Sequence, residues 1–311
     1  MKARGAPRVC VVLKRSSWQK WVEEESDPRV AALLEADDET VRRIRPAHAD
    51  HTETIDELRR AVAELGVQAS WHDRATDFRV NESRPCALVV TVGGDGTLLA
   101  ASHGIGPHIA LMGVNSSPNH SVGFFCAAKK GSVRDTLAAA MAGTLRRVEL
   151  TRMRVELNGR RLLDRVLNEV LFCHASPAAT SRYILRVAGG GGRPPIEEEQ
   201  KSSGVWIGPA AGSTAAQRSA GGRVLPLASR KLQYVVREPY RPHGESLRMT
   251  LGLVGEEQSL AIKSKMRQAR IFLDGDHIVH NVTIGDVVTV QRSDEPLVVL
   301  GLGSNGKRAR V

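Results

Sequence analysis

Aromatic rings are scarce in this chain. Only 4% of its 311 residues are Phe, Trp or Tyr, which leaves few of the flat surfaces that single-strand binders stack against bases. Cysteine is sparse too. Cys10, Cys86, Cys126 and Cys173 lie far apart in apolar, strand-like runs, without the density of a disulfide scaffold or the paired spacing of a zinc site. They read as buried free thiols. Long apolar runs are also missing: residues 9–13 stop at Lys14 and Arg15, too short for a signal-peptide core, and no stretch approaches the roughly 18 residues of a membrane span. The expectation is a soluble, cytoplasmic protein with no membrane partner.

What is present is enough apolar material, 41% of residues, for true cores, and a length that at about 150 residues per domain suggests two of them. The formal charge of +10 points to an anionic partner without saying which. Nucleic acid is the plain alternative, and nothing in the motifs requires it. In the first half, strand-like runs at residues 9–13, 67–71, 87–92 and 109–114 alternate with helical spacing at Ile55, Leu58, Val62 and Leu65, capped by Gly66, and again at residues 133–141. That order predicts an α/β N-terminal domain with an open parallel sheet. Near Leu145 the character changes to short alternating segments, with hairpin-turn composition at residues 189–195 and 274–276, which predicts an all-β, sandwich-like C-terminal domain. The expected boundaries are 1–145, 146–290, and a segment 291–311 returning to the first domain. Glu197, Glu198 and Glu199 read as a solvated loop tip, and Lys307, Arg308 and Arg310 as a frayed basic end.

The chemistry concentrates at VVTVGGDGTLLAA, residues 89–101. An apolar strand runs into Gly93, Gly94, Asp95, Gly96 and Thr97 and a helical pattern follows, so the small residues fall at the carboxyl end of a parallel strand, where ligands bind. Glycines admit close backbone approach, and N–H groups at a helix start suit phosphate oxygens. Asp95 is out of place beside phosphates unless it holds a metal ion or takes a proton from an attacking hydroxyl, which suggests phosphoryl transfer; the plain alternative is a glycine-rich turn with an aspartate cap. GLGSNGK at residues 301–307 imitates a phosphate loop, but Arg308 stands where Ser or Thr belongs and too little chain follows to make a helix. His48, His51 and His72 show no metal spacing and read as packing or surface histidines. No residue is assigned as a metal ligand. In the second half Asn168 and Glu169 interrupt an alternating strand, and GSTAAQRSAGG at residues 212–222 is a run of small and hydroxyl-bearing residues. Asn and Glu can bind a ribose diol; taken alone, an edge strand facing water is the simpler reading.

GGDGT, then Asn168-Glu169, then GSTAAQRSAGG, in that order, resemble the NAD kinase family over about residues 88–300. The resemblance implies an α/β domain carrying GGDGT, an all-β domain carrying the nucleotide site, an active site between them, and a homo-oligomer, dimer or tetramer. It implies transfer of the γ-phosphoryl of ATP to the 2′-hydroxyl of the adenosine ribose of NAD+ or NADH, with Mg2+ or another divalent cation. Carried over by motif, Asp95 is the general base and a ribose ligand. Gly93, Gly94, Gly96 and Thr97 surround the ATP phosphates, with Gly96 also at the dinucleotide. Asn168, Glu169, Thr214, Ala215 and Ser219 hold NAD(H).

Many members carry Asp-Gly before a TPTGSTAY-like run, whereas here Ser203 precedes Gly204, Ala216 replaces the Tyr, and Lys201 is the basic residue just upstream. These features, with SAGG at residues 219–222 and LQYVVREP at residues 232–239, resemble the plant-type NADH kinase branch. Lys201 and Ser203 are therefore included among the NAD(H)-binding residues, and a neutral Ser203 is expected to favour acceptance of NADH. GGDGT also resembles the loop of lipid kinases acting on diacylglycerol or sphingosine and of phosphofructokinases, so a lipid or sugar kinase is the rival enzyme, and a basic nucleic-acid-binding protein the non-enzymatic one.

Overall fold

Short apolar runs without polar alternation mark strands covered on both faces. In the computed structural model, which describes residues 8–73, 77–80, 86–190, 194–241 and 246–303, such runs build a largely parallel sheet. The chain forms two units, Met1–Val148 with Leu297–Val311, and Glu149–Pro296. Strands β1 (Arg8–Leu13), β2 (Gln68–His72), β3 (Leu88–Gly93), β4 (Ala110–Asn115), β5 (Cys126–Lys129) and β6 (Arg147–Leu150) come first, with helices α1 (Pro28–Glu35), α2 (Ile44–Glu64), α3 (Asp95–Ser102) and α4 (Val133–Met141). The second unit contains β7 (Met153–Leu157), β8 (Arg160–Val166), β9 (Val170–His174), β10 (Ser181–Val187), β11 (Ile196–Ser202), β12 (Val205–Gly208), the single helical turn α5 (Ala216–Ser219), β13 (Leu232–Val236), β14 (Leu251–Val254), β15 (Ser259–Ser264), β16 (Ala269–Leu273), β17 (Ile278–Val282) and β18 (Val287–Arg292). Strand β19 (Leu297–Leu300) then rejoins the first sheet.

That sheet runs β2-β1-β3-β4-β19-β6, with β5 also on β4. Its inner pairs are parallel: β1 with β2 and β3, and β4 with β3, β5 and β19. Leu58, Ala61 and Val62 of α2 and Val133 and Leu137 of α4 pack with Val9, Val11, Leu88, Val90, Met112 and Val114 of the strands in one apolar core. Helix α2 begins eleven residues before the periodicity at Ile55 does. Pro46 lies in its first turn, where a missing N–H leaves no broken bond, and Gly66, at φ +62°, ends it in the left-handed conformation that glycine adopts freely.

The second unit has two six-stranded antiparallel sheets, β11-β10-β15-β18-β7-β8 and β14-β13-β12-β9-β16-β17, whose inner faces share one core including Phe172, Tyr183, Ile207, Ile262, Ile271 and Val290. Alternation along β10 buries Ser181, Tyr183, Leu185 and Val187 and exposes Arg182 and Arg186, as period-2 patterning requires. The expected loop tip at Glu197, Glu198 and Glu199 is instead part of β11, paired with β10. It is an edge strand, where charges on the open side are tolerated and hinder strand addition. The Glu198 carboxylate accepts from the N–H groups of Arg248 (2.9 Å) and Met249 (2.8 Å). Lys307, Arg308 and Arg310 lie outside the described residues. None of the helices described is long and apolar enough to cross a membrane.

Candidate active site

Strand β3 ends at Gly93, Gly94 precedes the first turn of α3, and Asp95 opens the helix. A side chain at Gly93 would collide with that of Thr97 and crowd the Cβ of Lys14 at 2.9 Å, so only glycine lets strand and helix meet this closely. Gly96 has open space at its Cβ position, as a loop that admits a ligand requires. The plain reading of Asp95 as a helix cap does not hold, because Gly94 is the cap residue and no side chain caps the helix. The Asp95 carboxylate turns to the opposite loop, where Oδ2 accepts from Phe124 N–H and Oδ1 from Phe125 N–H, each at 2.8 Å. A carboxylate has about four acceptor positions, so each oxygen retains one for a substrate hydroxyl.

Around this loop the carboxyl edge of the sheet carries buried polar residues that sequence reasoning missed. Asn115, fully buried at the end of β4, accepts from Ser117 N–H (3.1 Å) and Ser121 Oγ (2.7 Å) and donates to Ser121 O (3.1 Å). It thereby fixes the segment that leads to Phe124. His51, 2% exposed, joins Ser116 Oγ through Nδ1 and Lys14 O through Nε2, both at 2.8 Å. A carbonyl only accepts, so Nε2 carries the proton. Burial pushes the imidazole down to about 4, and His51 is a neutral structural histidine, in keeping with its reading as a packing residue. Lys14, exposed at the same edge, is held below the ordinary lysine value by partial desolvation and then by the charge of Lys20. Its only signal in the sequence is its place just after an apolar strand.

In the second unit, Asn168 and Glu169 are not on a wet edge strand but in the tight passage between β8 and β9, the latter a central strand of its sheet. Glu169 is 9% exposed. Burial first, and the Asp274 charge second, push its carboxyl up to about 7. Asn168 Oδ1, Glu169 Oε2 and Gln217 Nε2 are buried without a hydrogen-bond partner, a rare condition that marks sites completed by something else. A Cβ on Gly208 would strike both Asn168 O and the Gln217 amide, and one on Gly212 would overlap Asn168 O. The GST run therefore lies directly on the Asn168 backbone because both positions are glycine. Thr214, half-buried, and Ala215 and Ser219, exposed, follow on the same short helical turns.

Lys201 and Ser203 are not brought to this cluster. They lie beyond the other end of β12, where they line a cavity of about 420 Å3 with Thr180, Arg182, Glu238 and Tyr240 among others. The four strand residues of β12, Val205–Gly208, lie between that end and the glycine that meets Asn168, a span of about 10 Å at about 3.3 Å per step. Among the described residues no group of three His, Cys, Asp or Glu side chains forms a metal-binding cluster.

Residues 6–145 match the family described as the ATP-NAD kinase N-terminal domain. A probable NADH kinase of Oryza sativa is 33% identical over 82% of this chain and 82% of its own length. The NADH kinase of Arabidopsis thaliana is 35% identical over 73% of this chain and 77% of its own. Among solved structures, an Archaeoglobus fulgidus NAD kinase in complex with ATP aligns over 96% of this chain and 94% of its own with a TM-score of 0.63 at 20% identity. Yeast NADH kinase complexed with NADH aligns over 97% and 86% with a TM-score of 0.66 at 15% identity; both show a shared fold. With GGDGT on a strand-to-helix turn, and sequence shared with its relatives over most of its length, the chain belongs to the NAD kinase family.

Proposed function

We propose that this chain transfers the γ-phosphoryl group of ATP to the 2′-hydroxyl of the adenosine ribose of NAD(H), giving NADP(H), with Asp95 as general base. The observation that carries this reading is the Asp95 carboxylate, fixed by two backbone N–H groups beside a glycine loop and with an acceptor position free on each oxygen. A ribose hydroxyl is a weak nucleophile, and a positioned base contributes on the order of 10² to 10⁴ in rate. The N–H groups of Gly94 and Gly96 at the start of α3 suit phosphate oxygens, with Gly93 and Thr97 shaping the turn and Lys14 adding a cation. A divalent cation, Mg2+ in this reading, would neutralise phosphate charge; the phosphates themselves are its natural oxygen ligands.

Asn168, Glu169, Thr214, Ala215 and Ser219 would hold the dinucleotide, whose hydroxyl and amide groups can complete the unpartnered atoms there. Lys201 and Ser203 are assigned to the nicotinamide end. A neutral Ser203 lessens the preference for the cationic ring, so NADH is accepted as well as or better than NAD+. A homo-oligomer, dimer or tetramer, acting in the cytoplasm completes the proposal. The test is to incubate the purified chain with ATP, Mg2+ and, separately, NAD+, NADH, diacylglycerol or fructose 6-phosphate. NADP+ and NADPH are the expected products, with a specificity constant for NADH equal to or above that for NAD+. Phosphorylation of the lipid or sugar alone would overturn the assignment, and a strong NAD+ preference would remove Ser203 from the account.

A further inference from the structure

The turn after β16 reads Asp274-Gly275-Asp276, the composition of an ordinary hairpin, yet Asp274 is bound into a different part of the unit. Its Oδ1 accepts from Asn168 N–H (2.7 Å) and Glu169 N–H (3.1 Å), its Oδ2 from Leu167 N–H (2.8 Å), and its own N–H donates to Glu169 O (2.9 Å). Four bonds thus join one residue to three consecutive residues more than a hundred positions earlier. Asp274 itself sits at φ +51°, in the left-handed region that Asn fills more readily than most residues. A hairpin alone would be served as well or better by Asn-Gly. What Asn cannot supply is a second acceptor oxygen for the third N–H, or the negative charge.

The bound segment is the one that holds Asn168 and Glu169. With its three N–H groups fixed, the Asn168 carbonyl is set against Gly208 and Gly212, and the Glu169 side chain stays buried with one oxygen unpartnered. We propose, resting on the NAD(H) kinase reading, that Asp274 is a positioning residue of the dinucleotide site. Its carboxylate imposes the backbone geometry in which Asn168 and Glu169 receive the ribose, and its charge tunes the Glu169 side chain. The charges that bear on the pair are Asp274 on Glu169 and Arg152, which interacts with Asp274 and in turn with Arg165 and Glu295. Asp274 opposes ionisation of Glu169, so near neutral pH Glu169 can donate as well as accept a hydrogen bond.

The test is Asp274→Asn, which keeps a residue suited to the left-handed turn and removes one acceptor and the charge. Direct titration of the intact enzyme with NADH, without ATP, across pH 5–9 is the primary readout. Wild type should show an affinity inflection near 7. The variant should bind ten- to a hundredfold more weakly, with the inflection moved to lower pH and KM for ATP changed less than twofold. A loosened turn alone would weaken binding without moving the inflection. Asp274→Glu, which keeps the charge at the wrong reach, should weaken binding and leave the inflection near its wild-type place; it is the second variant should Asp274→Asn fold poorly. Wild-type binding with unchanged affinity and inflection in both variants overturns the role of Asp274, whereas a wild type that binds neither NADH nor NAD+ overturns the function on which it rests.

Discussion

Replacing Glu169 with Gln should make the ligand-free protein more stable above neutral pH while impairing its binding of NAD(H). The side chain is 9% exposed and its carboxyl is pushed up to about 7, by burial and then by Asp274. Between the ordinary value of 4.5 and about 7, the folded protein keeps a proton that the unfolded chain has released, so stability falls as pH rises through that window and stays lowered above it. At about 1.4 kcal/mol per pH unit, this amounts to about 3 kcal/mol, or roughly a hundredfold in the opening equilibrium. The glutamine side chain has nearly the same shape and no charge to bury. The advantage of the variant should be absent at pH 4, grow from pH 4.5 to 7, and level off near 3 kcal/mol at pH 8. Hydrogen exchange of β9, β12 and β16 peptides, with wild type and variant in parallel, reads the second unit by itself. An advantage that does not change with pH would mean that the carboxyl titrates alike in folded and unfolded chains, a variant less stable at pH 8 that the carboxylate is favoured on folding, and in either case the argument from burial would fail.

Asp95→Asn should lower kcat by two to four orders of magnitude while NADH affinity changes little; single-turnover product formation at wild-type rate would remove Asp95 from the chemistry. Lys14→Met should raise KM for ATP about tenfold with KM for NADH unaffected, and equal ATP constants in the two proteins would take the cation away from the phosphates. His51, held down to about 4 from an ordinary 6.5, binds fewer protons folded than unfolded. Its contribution, about 3 kcal/mol, should be complete above pH 6.5 and lost as pH falls to 4. Hydrogen exchange of β1 and β4 across that range would reveal it, and a flat response would mean that the folded ring takes up its proton as readily as the unfolded one.

The strand-to-helix turn at GGDGT was legible in sequence because its chemistry and its geometry are contiguous: the apolar run, the glycines and the helix follow one another within a dozen residues. The parallel and antiparallel halves were legible for the same reason, since their patterns repeat locally. What Asp95 does with its carboxylate was not, because Phe124 and Phe125 offer only backbone N–H groups, which no side-chain pattern announces. Asp274 was hidden more deeply. In sequence it is a turn residue, and only the closing of one sheet brings β16 beside β9 and the turn to Asn168. Glu197, Glu198 and Glu199 misled because their charges resemble a loop, while the strand is defined by Gln200 and Ser202, polar residues buried on its inner side. Lys201 and Ser203 stand a short way before the GST run in sequence, but β12 lies between them and separates the two.

The course of β19 has a consequence for how the protein is made. Leu297, Val298 and Val299 are fully buried between β4 and β6, an interior place in a sheet whose other strands all begin before the second unit. A ribosome adding about 5–20 residues per second needs roughly 7–30 s to pass from β6 to β19. The second unit is synthesised within that interval, and for its duration the Ala110-Leu111 end of β4 lacks the partner that β19 supplies, while β5 already pairs with Gly113, Val114 and Asn115. The nascent α/β unit thus waits for its last strand until the second unit has been made, and the residues that fill that place are also those that complete its buried interior.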